Sequence, residues 1–330
     1  MRLAFLLALP ALAAEPVIID TDCGYFGDDG MAITMFANSA GRFHIEAVTI
    51  VSGNVWSGNA IRNTREILDA LKLGKTPIIP GEDMPLRHTR GMADEEHRRW
   101  GPLEFRGAFG EPHAALKGKP QAVEELIRRI EAKPGAITLV ALGPMTNIAR
   151  ALDQRPTLAR RIRRLVFMGG QYRVAGNASK EAEFNFWFDP EAASIVLRSS
   201  IPEKIMFGLD VCNKANLDKA GFDAIIRKRT WITRRFAEDY GKRYPGFYKN
   251  PKATVSLWDA LVPLWMLDSN LFEPAESLYL DVDTRFGATY GKVVPLDRAS
   301  APDATPVQMI HDVHSVQVMD ELQRLMTRMP

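Results

Sequence analysis

Asp20, Asp22, Asp28 and Asp29 put four carboxylates into ten residues, around Gly24 and Gly27. Acids this crowded repel one another and need either shared protons or a cation. They are hard oxygen donors with no His or Cys ligand pair beside them, so the cation that suits them is Ca²⁺ or Mg²⁺. A solvated acidic turn would have the same composition. The apolar run Val17-Ile18-Ile19 leads straight into the cluster, however, and favours a buried metal site. Three further groups have the polarity of a ligand site. Asn54 follows Ser52-Gly53. Pro144 and Thr146 start a helix just after Leu142 and leave the Leu142 carbonyl free to point outward. Asn177, Glu183 and Asn185 are interleaved with Phe184, Phe186, Trp187 and Phe188. Amides and an acid that bond hydroxyls, with rings covering the apolar faces, suit a polyol, although a loop supplying its own caps reads the same way. Asp259 opens the apolar segment Trp258–Trp265, as a ligand or as a helix N-cap.

These residues sit where short apolar runs end. Val17–Ile19, Ile45–Val51, Pro77–Ile79, Ile137–Leu142, Leu165–Met168 and Ile205–Phe207 have the character of strands buried on both faces. Amphipathic stretches separate them. Gln121–Lys133 places Val123, Leu126, Ile127 and Ile130 on one helical face before Pro134-Gly135, and Asp189-Pro190-Glu191 is a strong helix start. The β-α-β-α order predicts an α/β fold: an open, mostly parallel, Rossmann-like sheet flanked by helices. Ligands bind such sheets beyond the carboxyl ends of the strands, where the polar residues fall. Near the C-terminus, Leu278–Val282 and Lys292–Val294 suggest a hairpin, and Ser315–Arg328 a closing helix. The polar stretch Leu86–His113 is read as a long irregular lid or binding loop. A single domain over residues 15–330 is expected.

The remaining composition narrows the function. Of 330 residues, 46% are hydrophobic and 25% charged, and 42 Lys and Arg against 40 Asp and Glu give a net charge of +2. No basic block interleaved with aromatics marks a nucleic-acid partner, and no apolar stretch is long enough for a membrane helix. Arg2, the run Leu3–Leu9 and Ala11-Leu12-Ala13 resemble a signal peptide over residues 1–14, which implies a periplasmic or secreted protein. The two cysteines, Cys23 and Cys212, follow strand-like runs. They are either free buried thiols or, if those strand ends are neighbours, a disulfide.

Asp20-Thr21-Asp22, Asp28-Asp29, Gly53-Asn54, Leu142–Asn147, Met168–Gly170, Gly176-Asn177, Glu183–Asn185, Asp189–Glu191 and Trp258-Asp259 occur in the order seen in the inosine-uridine-preferring nucleoside hydrolases. The chain resembles that family from about residue 17 to 270. The resemblance implies cleavage of the N-glycosidic bond of a small-molecule nucleoside by a Ca²⁺-dependent homo-oligomer, a dimer or tetramer. It implies Asp22, Asp29, Asp259 and the Leu142 carbonyl as metal ligands, with Asp22 also the base for the attacking water. Asp28 would bond the ribose 2-hydroxyl and Asn54 would help place water and ribose. Asn177, Glu183 and Asn185 would hold the other sugar hydroxyls.

Two departures stand out. Five residues, Cys23–Gly27, separate Asp22 from the acid pair where the best-known members have three. Trp258 stands where some members carry a histidine thought to protonate the leaving base, and so resembles the purine-specific branch, which activates the base by stacking. Trp100 is the expected second ring of that sandwich, with Trp187 and Trp56 behind it and His97 a possible acid. Two rival readings are a haloacid-dehalogenase-like phosphatase, which would leave Asn177, Glu183 and Asn185 idle, and a non-catalytic ribose- or nucleoside-binding protein, which would not need an intact Asp22.

Overall fold

The computed structural model describes residues 13–113, 116, 118–243, 249–250 and 252–328. The expected export segment therefore lies outside the described residues except for Ala13 and Ala14. Twelve strands are described: β1 (Glu15–Thr21), β2 (Phe43–Ile50), β3 (Ile78–Pro80), β4 (Thr138–Ala141), β5 (Arg164–Met168) and β6 (Lys204–Phe207), then β7 (Asn216–Asp218), β8 (Thr254–Ser256), β9 (Glu276–Leu278), β10 (Leu280–Val282), β11 (Val293–Pro295) and β12 (Val307–Ile310). Eight of them form one sheet in the order β3-β2-β1-β4-β5-β6-β12-β9. Every pairing in it is parallel except that of β9 with β12. The order reverses between β1 and β4, which opens a crevice at their carboxyl ends.

Alternation along each strand feeds two hydrophobic cores, one on each face of the sheet. Val17 and Ile19 of β1, Val140 of β4 and Val166 of β5 enter the larger core, while Ile18, Leu139 and Leu165 enter the other. Each such side chain contributes about 1.5–3 kcal/mol by leaving water. The larger core is covered by α1 (Asp28–Ala37), by α2 (Ser57–Ala70) and by helices from the C-terminal third. On the opposite face lie α4 (Ala122–Ala132), α5 (Thr146–Gln154) and α7 (Pro190–Leu197), with α3 (Arg90–Trp100) and α6 (Phe184–Phe188) nearer the crevice. Helix α4 buries Val123, Leu126, Ile127 and Ile130, the face expected from spacing, and Asp189 caps α7 by accepting from the Ala192 N–H at 3.1 Å.

Two expectations need correction, and one open alternative is decided. The 86–113 stretch is not an irregular loop, because it contains α3, capped by Thr89, and a 3₁₀ turn over Gly107–Gly110. Helix α3 buries only Ala93 and Glu96, so it has no apolar stripe for sequence periodicity to detect. The C-terminal hairpin is shorter than expected: β10 pairs with β11, whereas Leu278 belongs to β9 at the sheet edge. The ends of β1 and β6 are not neighbours, since β4 and β5 lie between them, and Cys23 and Cys212 are free, buried thiols.

Candidate functional site

Strand β1 ends by sending its acids to different places. Asp20 faces the smaller core, where its Oδ1 accepts from Thr49 Oγ1 at 2.5 Å and from Asn147 Nδ2 at 2.7 Å. Burial raises its pKa to about 7 against those two hydrogen bonds, and its Oδ2 has no partner. Asp22, just past the strand, is fully buried between two glycine turns. The Asn54 backbone N–H donates to its Oδ2 at 2.6 Å and Asn54 Nδ2 to its Oδ1 at 3.3 Å. A Cβ on Gly53 would lie 2.0 Å from Asp22 Oδ2, so only glycine allows the two loops to approach this closely.

Asp28 and Asp29 open α1, where the helix dipole favours negative charge. Thr21 Oγ1 donates to Asp29 Oδ1, and Asn54 Nδ2 reaches Asp29 Oδ2 at 3.5 Å. Asp259 arrives from the other side of the crevice on a 3₁₀ turn spanning Trp258–Ala260. Oxygens of Asp28, Asp29 and Asp259 all lie within 4.8 Å of one another, and all three residues are buried. Burial first, and mutual repulsion second, push the carboxyls of Asp22, Asp29 and Asp259 upward, Asp29 to about 7. This donor set fits a hard divalent cation, which would relieve both causes together. The closest group differs from the expected ligand set in one member: Asp28 is in it, while Asp22 is turned towards the Asn54 loop. Leu142 lines the cavity above, and its carbonyl accepts from Asn185 Nδ2 at 2.9 Å, which leaves one lone pair for a ligand.

A cavity of about 420 Å³ opens over this floor. Asp28, Asp259, Asn54 and Leu142 line its depth, with Asn177, Glu183 and Asn185 along one wall. Glu183 is also the N-cap of α6: its carboxylate accepts from the backbone N–H groups of Gly170, Asn185 and Phe186, at 2.7, 2.9 and 3.1 Å. Asn177 Oδ1 accepts from the Phe184 N–H at 2.8 Å, and Asn185 Nδ2 also donates to the Met168 carbonyl at 3.1 Å. This wall is thus held by the backbone it caps.

Four rings line the cavity: Tyr25, Phe105, Phe184 and Trp258. Trp258 has φ +27°, a conformation that bulky side chains rarely adopt, and it presents its ring to the cavity while the next residue, Asp259, joins the floor. The other expected rings lie elsewhere. Trp100 ends α3, is 39% exposed and packs edge-on against Phe286 at 5.2 Å. Trp187 is buried and donates to Glu96 Oε2 at 2.8 Å, Trp56 is buried behind the loop, and His97 Nδ1 accepts from the Leu103 N–H. Their places are taken by Phe105, which tilts against Phe184 with centroids 4.6 Å apart, and by Tyr25. Tyr25 belongs to the lengthened Cys23–Gly27 loop, which was the signal available for it. Phe105 and Glu104 carried no signal beyond lying in the 86–113 stretch.

A family model described as inosine-uridine preferring nucleoside hydrolase matches residues 17–320. A pyrimidine-specific ribonucleoside hydrolase RihA from Salmonella arizonae is 34% identical over 284 residues, covering 85% of this chain and 88% of its own. The protein of that name from Citrobacter koseri is 33% identical over 287 residues, with coverage of 85% and 88%. Among solved structures, a plant nucleoside hydrolase superposes with a TM-score of 0.77 at 26% identity, covering 95% of this chain and 99% of that one. A purine-preferring ribonucleoside hydrolase from Gardnerella vaginalis shares the fold, with a TM-score of 0.73 at 24% identity and coverage of 94% and 98%.

Proposed function

The chain belongs to the inosine-uridine preferring nucleoside hydrolase family, hydrolases of N-glycosyl bonds, and from that premise we propose that it is a Ca²⁺-dependent enzyme preferring purine ribonucleosides. The observation that supports this most directly is the cavity, with buried carboxylates at its floor, amides and an acid along one wall and four aromatic rings around it. Membership of this family sets aside the phosphatase and binding-protein readings.

Asp28, Asp29, Asp259 and the Leu142 carbonyl would hold the cation, with Asp22 beside them. When bound, Ca²⁺ supplies Lewis-acid polarisation of a water and of the ribose hydroxyls. The rest of the reaction falls to this chain's side chains. Asp22, whose two oxygens are fixed by Asn54, takes the proton of the attacking water, a role typically worth about 10²–10⁴-fold. Asp28 and the Asn177–Glu183–Asn185 wall orient the sugar, and the carboxylates of Asp28 and Glu183, when ionised, favour the oxocarbenium character that builds as the glycosidic bond breaks. No histidine lines the cavity among the described residues, so the departing base is activated by stacking on Trp258 rather than by a histidine proton.

A pyrimidine preference is the second reading, favoured by the curated relatives, which are named pyrimidine-specific. A panel of inosine, adenosine, guanosine, uridine and cytidine, with and without chelator and scored for free ribose, tests all of this. Purine turnover that is lost on metal removal and restored by Ca²⁺ is expected. Faster turnover of uridine and cytidine than of any purine nucleoside would establish the second reading. Full activity after confirmed metal loss would overturn the cation's role.

Export and assembly are proposed on the same footing. N-terminal sequencing of the native protein should return Ala14 or Glu15, and light scattering should return a dimer or tetramer. A mature chain starting at residue 1 or 2, or a monomer, would refute the respective proposal.

A further inference from the structure

Glu104 lines the nucleoside cavity and also a neighbouring cavity of about 440 Å³, and it is exposed, whereas the floor acids Asp28 and Asp259 are buried. It therefore stands at the rim that the two cavities share. Its segment is pinned at both ends to the two loops that carry site residues. The Glu104 backbone N–H donates to the Ala178 carbonyl at 2.9 Å, next to Asn177, and the Ala108 N–H donates to the Gly53 carbonyl at 2.8 Å, next to Asn54. Gly107 makes the second contact possible: its φ is +51°, and a Cβ there would lie 2.3 Å from the Gly53 carbonyl oxygen. Phe105, the next residue, is fixed against Phe184. The neighbouring cation is committed elsewhere, since Arg106 pairs with Asp94. Glu104 forms no ion pair or side-chain hydrogen bond with another described residue, and no basic side chain lines the cavity among those described.

We infer that Glu104 reads the hydrogen-bonding edge of the base, selecting bases that present a ring N–H over those that present a ring nitrogen lone pair. This rests on the nucleoside hydrolase reading above. With the sugar hydroxyls directed to the floor acids and the amide wall, the base points to the mouth, between Phe105 and Trp258. An ionised carboxylate is an acceptor only, with two oxygens. It accepts one bond from the ring N–H of hypoxanthine or uracil, and two parallel bonds from the N1–H and amino group of guanine. Adenine and cytosine offer one amino donor and set a ring lone pair against the second oxygen. Discrimination of this kind acts on the base edge and not on ring size. It therefore separates inosine from adenosine and uridine from cytidine alike, whichever size class the enzyme prefers.

The test compares wild type with Glu104→Gln on inosine, 1-methylinosine and adenosine, and on uridine, 3-methyluridine and cytidine, measuring kcat/KM for ribose release. The methylated nucleosides replace the ring N–H by N–CH₃, which removes the donor and adds a methyl group, and the unmethylated adenosine and cytidine control for that bulk. Wild type should favour inosine over 1-methylinosine and adenosine. Glu104→Gln, whose amide can both donate and accept, should shrink the inosine-to-adenosine ratio by about tenfold, the lower end for a charge-assisted hydrogen bond at a partly hydrated site. A ratio unchanged in Glu104→Gln, with wild type turning over the methylated and parent nucleosides equally well, overturns the role of Glu104 and leaves the hydrolase reading standing. No ribose release by wild type from any nucleoside overturns both.

Discussion

The Asn54 backbone N–H reaches Asp22 Oδ2 at 2.6 Å, joining two loops 32 residues apart in the chain. The bond fixes the orientation of the proposed base, and it depends on Gly53, which presses its bare Cα against the same oxygen. Gly53→Ala would put a methyl group 2.0 Å from Asp22 Oδ2 and 2.7 Å from Pro144 Cδ. We expect kcat to fall about 100-fold, the scale of a displacement of about 1 Å at a reacting group, for a stability cost of about 1–3 kcal/mol. Steady-state kinetics beside thermal melts check this. A Gly53→Ala enzyme with normal kcat would show that Asp22 tolerates displacement.

Metal dependence should carry a pH signature. Asp29 is raised to about 7, mainly by burial, and Asp22 and Asp259 are raised as well. Between the ordinary carboxylate range near about 4 and that value, the folded metal-free chain binds more protons than the unfolded chain. Stability of the metal-free protein therefore falls as pH rises through this window. A cation takes over the role of the protons, so the gain in Tm on adding Ca²⁺ should be larger at pH 7.5 than at pH 5. Melting curves at the two pH values, with and without Ca²⁺, decide it. An equal gain at both would show that the cluster is not the binding site.

Asn185 joins the ends of two strands to the polar cavity wall, because its Nδ2 serves both the Leu142 and the Met168 carbonyl. Asn185→Ala should raise KM and also lower stability by about 1–3 kcal/mol, since buried carbonyls lose their partner. Denaturant titration alongside kinetics measures both. A raised KM with unchanged stability would mean that the side chain serves only the substrate.

The ring assignments separate cleanly. Trp258→Ala and Phe105→Ala should each lower kcat/KM on inosine about tenfold, the upper range for a stacked ring beyond its burial. Trp100→Ala, at the exposed end of α3, should stay within about twofold of wild type. A loss in Trp100→Ala equal to that in Phe105→Ala would place Trp100 back over the base. Uridine turnover equal to that of inosine would argue against activation by Trp258.

The parts of the site legible in the sequence were those carried by strand ends. Asp22 and Asn54 lie just past a short apolar run and Leu142 ends one, and an α/β sheet delivers such residues to one edge. Asp28 and Asp29 were legible through crowding, which has few physical remedies, and Asp259 through the resemblance. What one sequence could not show was which far-apart residue faces which. Trp100 and Phe105 lie close together in the same polar stretch. Only the folding of residues 90–100 into a helix without an apolar stripe carries Trp100 out to Phe286 and leaves Phe105 over the cavity.

The same division holds within the acid cluster. Sequence alone favoured buried carboxylates gathered beyond β1 and in need of neutralising over a solvated acidic turn, because an apolar strand feeds straight into like charges. The tertiary structure decided that Asp28 stands in the closest three-oxygen group with Asp29 and Asp259, while Asp22 turns to the Asn54 loop. That choice depends on the path of the Gly53 and Gly143 turns around Asp22, a contact between segments distant in the chain that no local pattern encodes.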